Sequence, residues 1–359
     1  MGERVRICLV AASSFPVREP FAGGLEAMTH ALARGLVARG HEVSLFAGAG
    51  SDPALPVAVL PCPVFEPSEQ SLSDVNAPPR RWIEEHHAYL GLMLELARSA
   101  GDRFDVVHNN SLHHLPVAMA STLPVPVVTS LHTPPLPWLE SAVALSPGVS
   151  RFAAVSRATA RAWSHVVAST PILNGIPVDA WSLGRGDGPA VWSGRIVPEK
   201  APHEAMDACR LAGLPLVLAG PVGDPLYYER EVVPRLGRSA VHVGHLDHRA
   251  LDRLLGQATV ALVTPAWDEP YGLVAAEAMA CGTPVAGYRR GALPEVVPDE
   301  VGVLVDPGDV DALAAAVGDA AGRSRTTTRR HALEHCCLDR MLDDYEKLYV
   351  STVSGADAA

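Results

Sequence analysis

Short apolar runs alternate with longer helical patterns along most of the chain, in two successive series. The first series of apolar runs consists of Val5–Ala11, Glu42–Ala47, Asp105–His108, Val125–Ser130 and Phe152–Val155. The second consists of Ala190–Gly194, Leu214–Ala219, Ala240–Val243, Thr259–Thr264 and Pro284–Tyr288. Runs of this kind are typical of strands buried on both faces of a parallel sheet, with helices between them as crossovers. The alternation predicts an α/β protein made of two doubly wound, Rossmann-like parallel-sheet domains.

The two series are separated by a stretch that follows neither period. It spans Asn174–Gly188 and contains Pro177 and a Gly-Arg-Gly-Asp-Gly run, which interrupt both helices and strands. We therefore predict an N-terminal domain over residues 1–180 and a C-terminal domain over residues 181–340. In the tail, from Arg329 to Tyr349, apolar side chains recur at helical spacing, which predicts an amphipathic helix.

Composition limits the possible partners. A chain of 359 residues with 48% hydrophobic and 19% charged residues has enough apolar material for two packed domains. The net charge of −11, and the absence of lysine from residues 1–182, argue against nucleic acid and against an obligatory anionic membrane surface. Six cysteines show no disulfide or metal spacing, and no apolar run has transmembrane length. These features predict a soluble cytoplasmic protein, and the arginine- and alanine-rich composition favours a bacterial source.

The segment Trp267–Val285 reads as loop, helix, turn and strand, and it carries two carboxylates. Glu269 belongs to the loop before the helix, which begins near Gly272, whereas Glu277 is a lone charge inside Leu-Val-Ala-Ala-Glu-Ala-Met-Ala. Eight residues apart, the acids would lie about 80° apart around a helix axis, so they do not form one paired acid site. A carboxylate among apolar residues must be solvated, paired, or bound to hydroxyls of a ligand.

Two further elements are suited to binding an anion. Gly23 and Gly24 lie between the first strand and a helix, where small residues let the backbone approach a ligand at the helix N-terminus. They are not part of a G-x-G-x-x-G dinucleotide fingerprint. Arg195 and Lys200 follow Gly194 at the end of a strand, at the sheet edge where such folds bind ligands, and together they suit a diphosphate. The alternative is a solvated ion pair of Lys200 with Glu199 or Glu204.

Other polar patterns have structural explanations. Asp309-Val-Asp311 resembles a metal-binding pair, but it follows Pro-Gly at the start of a helix, so helix capping explains it better. His242, His245 and His248 do not form a zinc site, because on a strand an odd separation places His242 and His245 on opposite faces.

The elements Gly23-Gly24, His132 at the end of a strand, Asn174-Gly175-Ile176, Gly194-Arg195 with Glu199-Lys200, and Glu269-x7-Glu277 occur in this order. In this the chain resembles the retaining family-4 glycosyltransferases with the GT-B fold, over nearly its whole length. The Glu-x7-Glu element, with its Pro-Tyr-Gly-Leu and Cys-Gly-Thr-Pro-Val context, is the most specific part. The resemblance implies that a nucleotide sugar binds between two domains that face each other across a cleft. It also implies a last helix, over residues 341–359, that crosses back onto the first domain.

The resemblance also implies roles for particular residues. Arg195 and Lys200 would hold the diphosphate with backbone amides near Gly272, Glu277 would bind the ribose hydroxyls, and Glu269 would face the donor sugar. His132 would reach that sugar from the first domain, and the base would lie near residues 243–246. The implied donor-binding residues are Gly23, Gly24, Gly194, Arg195, Lys200, Val243, Leu246, Tyr271, Gly272, Leu273 and Glu277, and the implied catalytic residues are His132, Glu269, Arg195 and Lys200.

The function that follows from the resemblance is transfer of a hexose from a nucleotide-diphosphate sugar to a hydroxyl acceptor, with retention of configuration. No metal and no cofactor are expected, and the acceptor is expected to be a small soluble molecule bound by loops 13–21, 51–79 and 112–115. One departure is Ala201-Pro202, since many relatives have glycine after the lysine. Three alternatives remain open: a nucleotide-sugar epimerase of the same fold, a phosphorylase-like enzyme, and a catalytically silent subunit that binds sugar nucleotides. The missing glycine fingerprint disfavours a nicotinamide-dependent oxidoreductase.

Overall fold

The computed structural model describes residues 4–55, 57–60 and 62–355, which form two parallel β-sheets with helices between successive strands. The strands are β1 (Arg6–Val10), β2 (Glu42–Phe46), β3 (Ala58–Leu60), β4 (Val106–Asn109), β5 (Val127–Leu131), β6 (Ser150–Ala154), β7 (Thr170–Pro171), β8 (Ala190–Ser193), β9 (Leu216–Ala219), β10 (Ala240–His242), β11 (Ala261–Val263), β12 (Val285–Tyr288) and β13 (Gly302–Val305). The α-helices are α1 (Gly24–Ala38), α2 (Glu69–Leu72), α3 (Arg80–Arg103), α4 (Leu115–Ala118), α5 (Pro137–Leu145), α6 (Arg157–Trp163), α7 (Pro202–Leu211), α8 (Pro225–Tyr227), α9 (His248–Gln257), α10 (Leu273–Ala280), α11 (Leu293–Val296), α12 (Val310–Ala321), α13 (Arg325–His335) and α14 (Leu338–Val353).

Both sheets are doubly wound. The first has the order β3-β2-β1-β4-β5-β6-β7 and the second the order β10-β9-β8-β11-β12-β13, with every pairing parallel. Strand order reverses between β1 and β4 in the first sheet and between β8 and β11 in the second. Such reversals open a crevice at the carboxyl ends of the strands, where α/β proteins bind ligands. The predicted architecture of two doubly wound sheets is confirmed.

The apolar composition of the strands explains why they form the sheet interiors. Ile7 and Leu9 of β1, and Val106 of β4, are fully buried. In the second sheet Val191 of β8 and Val285 of β12 are equally shielded. Strands covered on both faces need no polar alternation, which is why they read in the sequence as continuous apolar runs.

The structure adds strands that the sequence did not predict and divides a helix that it predicted as one. Strands β3 and β7 have three and two residues, too few for a detectable period, and β3 and α2 lie within residues 51–79, which are predicted to be rich in loops. The predicted tail helix is two helices, α13 and α14, separated at Cys336 and Cys337. There the backbone bonds to Ile176 instead of continuing the helix, through Ile176 N–H to Cys336 O (2.8 Å) and Leu338 N–H to Ile176 O (2.8 Å).

Helix α14 packs on the first sheet, although it follows the second in the chain. Met341, Leu342 and Leu348 join the core cluster of β1 and α1. A buried hydrogen-bond network anchors the same helix: the Tyr349 hydroxyl lies 2.7 Å from His108 Nδ1, and His108 Nε2 lies 2.8 Å from Ser130 Oγ, which also bonds the Tyr345 hydroxyl. Burial lowers the pKa of His108 to about 3, so the ring is neutral.

Replacing Tyr349 with phenylalanine is expected to lower the free energy of unfolding by about 1–3 kcal/mol, because His108 Nδ1 would remain buried without a partner.

The wild-type stability should also fall as pH drops below about 6.5, the pKa of an unfolded histidine. Below that pH, His108 is protonated in the unfolded chain, whereas in the native protein it stays neutral down to about pH 3.

Urea unfolding at several pH values would measure both effects. His108→Gln should flatten the acid limb of the stability curve, whereas the same change at exposed His245 should leave it unaltered. An acid limb of the same steepness in His108→Gln would show that His108 does not control it.

Within the described residues, no helix is both long enough and apolar enough to span a membrane.

Candidate functional site

The carboxyl edges of the two sheets meet along a cleft, and contacts cross it. A Cβ placed on Gly24 of α1 would lie 2.9 Å from Leu273 Cδ1 at the start of α10. Further along, the Thr159 hydroxyl donates to the Pro270 carbonyl at 3.3 Å. The small residue at position 24 therefore has a structural reason, since it lets the second half approach the start of α1.

Helix α10 presents its N-terminus at this edge. Its N-cap, Gly272, has a φ of +96°, a left-handed conformation that favours glycine, and a Cβ there would also lie 2.7 Å from Leu293 Cδ2. The amides of Ala275 and Ala276 bond the Gly272 carbonyl. The amides of Leu273 and Val274 precede these first intrahelical bonds, as at every helix start, and can bind an anion.

Glu277 lies one turn inside α10, between Ala276 and Ala278, which are fully buried. Desolvation raises the pKa of its carboxyl group to about 8. In the described parts of the chain no side chain or amide pairs with this carboxyl group. A carboxylate kept in such surroundings without a partner is suited to accept hydrogen bonds from a ligand.

Lys200 and Glu269 form an ion pair between the loops that follow β8 and β11. The Lys200 ammonium donates to Glu269, which also accepts from Trp267 Nε1 at 3.2 Å. The ammonium lies 5.3 Å from the centroid of the Trp267 ring, and Glu269 is only 9% exposed. The partner of Lys200 is therefore Glu269, not the neighbouring Glu199 or Glu204 considered from the sequence.

The residue after Lys200 is held in an unusual conformation. Ala201 has a φ of +41° and is the one non-glycine residue with positive φ in the described chain. It is fully buried and precedes Pro202, the first residue of α7. Ala201 thus adopts the left-handed conformation that glycine adopts without strain. The loop after Lys200 therefore has a backbone shape that suits glycine, although the residue at position 201 is alanine.

Arg195 is the free cation of the cleft. Its side chain is exposed and, among the described residues, makes no ion pair. Glycines surround its backbone: Gly194 has a φ of +151°, and a Cβ on Gly220 would lie 1.8 Å from the Gly194 carbonyl oxygen. The turn after β8 is thereby fixed, and the guanidinium is left available for a ligand.

A carboxylate that the sequence reasoning missed lies opposite. Glu26, in the first turn of α1, is only 6% exposed and lies against the backbone amide of Gly23. Burial raises its pKa, while the amides and the charge of Arg195 oppose that rise. The signal was its position three residues after the N-cap Gly23, where a glutamate commonly reaches back to the N-cap amide. At the N-terminus of α1 the Glu26 carboxylate of the protein itself, not that of a ligand, therefore contacts the free backbone amides.

His132 follows β5 directly and is held by hydrogen bonds. Its Nε2 lies 2.6 Å from Asn110 Oδ1, and Asn110 Nδ2 donates to the Thr29 hydroxyl at 2.6 Å. Burial lowers the pKa of His132 to about 3. The ring is neutral near pH 7, so it can exchange a hydrogen bond with a bound hydroxyl but does not carry a charge.

Other residues of the predicted site lie elsewhere or contribute only their backbone. The side chain of Tyr271 is buried in the core beside Cys336, with its pKa raised by burial, so it does not face the cleft. Val243 and Leu246 follow β10. The Val243 amide already donates to the Leu218 carbonyl at 3.0 Å, which leaves the remaining backbone of this loop for a base.

A pocket of about 190 Å³ lies between the two halves, beside the Lys200–Glu269 pair. Pro134, Thr159 and Arg161 line it from the first half, and Glu269 and Gly291 from the second.

Glu295 of α11 joins the two halves at this pocket. Its carboxylate accepts from the amides of Arg157 (2.9 Å) and Ala158 (2.6 Å) at the start of α6, and Arg161 lies 3.6 Å away. The side chain is 13% exposed. A shielded carboxylate on two helix-terminal amides is a strong contact, so Glu295 fixes the relative position of the halves.

Replacing Glu295 with alanine should weaken this arrangement by about 2 kcal/mol, since hydrogen bonds to a charged group contribute about 1.5–3 kcal/mol. We expect a larger radius of gyration in solution scattering, with Glu295→Gln intermediate. Glu300→Ala, an exposed acid near the same helix, is the matched control. Identical scattering from Glu295→Ala and wild type would show that the contact does not set the opening of the cleft.

No group of three histidine, cysteine, aspartate or glutamate side chains in the described chain is arranged to hold a metal ion. Asp309 caps α12, accepting from the Ala312 amide at 2.8 Å, so the capping prediction is confirmed. His242 is held by the Gly220 carbonyl and the Tyr228 hydroxyl.

Family models and curated relatives identify what the chain resembles. The model described as Glycosyltransferase Family 4 matches residues 22–180, and the model for glycosyl transferases group 1 matches residues 185–328. The glycogen synthase of Mycobacterium tuberculosis is 29% identical over 98% of this chain and 93% of its own length. The D-inositol 3-phosphate glycosyltransferase of Saccharomonospora viridis is 36% identical over 56% of this chain and 49% of its own length.

Solved structures agree on the fold. Anabaena HepE, in complex with UDP-glucose, matches with a TM-score of 0.75 and 17% identity over 97% of this chain and 100% of HepE. AviGT4, a glycosyltransferase involved in avilamycin A biosynthesis, matches with a TM-score of 0.71 and 24% identity over 98% and 99% of the two chains. The predicted GT-B fold is confirmed.

Proposed function

The chain belongs to the family-4 glycosyltransferases with the GT-B fold and uses a nucleotide-sugar donor, and from this premise we propose that it transfers the sugar with retention of configuration, without a metal, to a hydroxyl of a small acceptor. The observation that carries the proposal is Glu277, a carboxylate without a partner in the described chain, in the helix whose N-cap, Gly272, lies beside Glu269, the partner of Lys200. A ribose diol and a diphosphate would satisfy these groups together.

In the proposed complex, the diphosphate lies between Arg195, Lys200 and the amides of Leu273 and Val274. Negative charge develops on this group as the bond between the anomeric carbon and the phosphate oxygen breaks. Two cations and a helix N-terminus stabilise that charge, which is the role a metal ion has in other transferases. Metal independence is part of the proposal for this reason.

Retention is proposed from the family and from the state of Glu269. Glu269 is paired with Lys200 and Trp267. We therefore propose that its carboxylate places a negative charge near the donor sugar and does not attack the sugar as a free nucleophile. The acceptor oxygen would then bond the anomeric carbon from the face that the phosphate leaves. The electron pair of the broken bond goes to the phosphate, which takes the proton of the acceptor hydroxyl. His132, neutral and held by Asn110, would bind a hydroxyl of the donor sugar.

The donor base and the compartment complete the proposal. A uridine nucleotide is the first donor class to examine, since the neighbour HepE binds UDP-glucose. The six cysteines are free thiols, which suits a reducing cytoplasm.

The test is to identify the anomer of the product by NMR, in EDTA, with nucleotide sugars supplied with and without sugar acceptors. Retention in EDTA is the expected result. An inverted product would contradict the mechanism, a dependence on added metal would contradict metal independence, and a changed sugar in donor alone would identify an epimerase.

A further inference from the structure

Six aromatic and imidazole rings form a connected row on the first half of the molecule. Trp138 contacts His114, with ring centroids 5.7 Å apart, and His114 stacks on His113 at 4.5 Å. From His113 the row continues to Tyr89 at 4.2 Å and to His86 at 6.1 Å, and His86 stacks on Trp82 at 5.1 Å. We call these six residues the ring platform.

The ring platform lies at the carboxyl edge of the first sheet. His113 and His114 follow β4, and Trp138 is the second residue of α5, four residues after Pro134, which lines the same pocket as Glu269. The Tyr89 hydroxyl fixes the platform to the end of β1 by donating to the Ala11 carbonyl at 2.9 Å. The platform thus borders the cleft from the side opposite the Lys200–Glu269 pair.

The platform contains no lysine, arginine, aspartate or glutamate side chain. Burial, together with the neighbouring imidazoles, lowers the pKa of His113 to about 3 and lowers that of His114. On α3, Arg81 and Glu85 pair with each other at 3.1 Å, and Glu85 also accepts from the Ser14 hydroxyl. The platform therefore has no lysine or arginine to bind a phosphate.

The platform also offers hydrogen-bonding edges. In the described structure the His114 ring and the indole N–H groups of Trp82 and Trp138 have no hydrogen-bond partner, and Trp138 is 67% exposed. The buried Nδ1 of His86 is likewise without a partner among the described residues. Apolar ring faces combined with free polar edges match a pyranose or cyclitol ring, which has C–H faces and hydroxyl edges. A purely apolar ligand would leave these polar groups unpaired, which is unfavourable once they are shielded from water.

We infer that the ring platform is the acceptor subsite and that it takes a neutral sugar ring, not a phosphorylated one. The inference rests on the proposed function, since it names the acceptor class of the same reaction. It also separates this chain from its D-inositol 3-phosphate glycosyltransferase relatives, whose acceptor, as named, carries a phosphate.

Saturation-transfer NMR on the full chain tests the inference, with and without the nucleoside diphosphate that the protein binds. The probes are the methyl α-pyranosides of glucose, mannose and galactose, with glucose 6-phosphate as the anionic counterpart. We expect saturable signals from the ring protons of at least one pyranoside, with an affinity at least tenfold higher than that of glucose 6-phosphate.

Trp138→Ala should weaken pyranoside binding about tenfold and Trp138→Phe much less, because phenylalanine keeps an aromatic face. Leu145→Ala removes an exposed apolar side chain from the other end of α5 and should change nothing. Three results would overturn the inference: no pyranoside signal from protein that binds nucleotide, equal signals in wild type and Trp138→Ala, or tighter binding of glucose 6-phosphate. Protein that binds no nucleotide but loses its pyranoside signal in Trp138→Ala would instead overturn the proposed function and support the platform.

Discussion

Replacing Lys200 with alanine is expected to lower kcat by about a hundredfold or more, because a preorganised group that stabilises developing charge typically contributes about 3 kcal/mol to the barrier. The same change should lower the free energy of unfolding, since Glu269, only 9% exposed, would lose its ion-pair partner. We expect a loss of about 2–3 kcal/mol, somewhat less than for a fully buried pair. Steady-state kinetics with the preferred nucleotide sugar and urea unfolding measure the two effects.

The chain provides an unusually clean control for this experiment. Its other lysine is Lys347, which is 76% exposed and, within the described residues, pairs only with Asp344, so Lys347→Ala should change neither rate nor stability. The double variant Lys200→Ala with Glu269→Gln removes the unpaired charge. It should regain stability but not activity. If the double variant recovered wild-type turnover, the loss in Lys200→Ala would come from Glu269 and not from the missing cation.

Replacing Glu277 with glutamine should weaken nucleotide-sugar binding but raise the stability of the fold at alkaline pH. The ribose hydroxyls lose a charge-assisted acceptor, which should weaken nucleotide-sugar binding by about ten- to a hundredfold. Stability at pH 8–9 should rise, because the native carboxyl group holds its proton up to a pKa of about 8 while the unfolded chain releases it near 4.5. Between these two values the stability of the wild type falls as pH rises, by about 5 kcal/mol in total at about 1.36 kcal/mol per pH unit, and Glu277→Gln removes that slope.

The same pKa gives nucleotide binding a pH dependence. A ribose diol donates to the ionised carboxylate, so below pH 8 only the ionised fraction of Glu277 is competent to bind. Affinity for the nucleotide sugar should therefore rise about tenfold from pH 6 to pH 7 in the wild type and stay flat in Glu277→Gln. The nucleotide sugar is the right probe because its diphosphate, unlike that of a free nucleoside diphosphate, has no ionisation in this range. A flat wild-type profile would show that Glu277 does not bind the ribose.

Much of the fold could be predicted because its main strands are buried on both faces. β1 and β4, for example, appear in the sequence as uninterrupted apolar runs, and their predicted limits lie within two residues of the observed ones. The break between α13 and α14 could not be predicted, because it depends on backbone bonds to Ile176, about 160 residues earlier in the chain. Short edge strands such as β7 owe their form to the neighbouring strand rather than to their own composition.

The candidate site was only partly visible for a similar reason. The sequence identified Lys200 and Glu269 separately, but their pairing joins residues 69 positions apart. Glu295 gave no local signal, since its partners at the start of α6 lie 137 and 138 positions away. Glu26, by contrast, had a local signal in its spacing from Gly23. Local spacing therefore identifies caps and loops, whereas contacts across the cleft become visible only when the two halves are placed together.

In the proposed function, Arg195, Lys200, Glu277 and the start of α10 form a diphosphate and ribose site that works without a metal. Calorimetric titration of the protein with UDP, GDP, ADP and dTDP in EDTA tests it most directly. We expect saturable binding of one of them, lost or strongly weakened in Lys200→Ala and retained in Lys347→Ala. Binding that appears only when Mg²⁺ is added, or no binding under either condition, would contradict it.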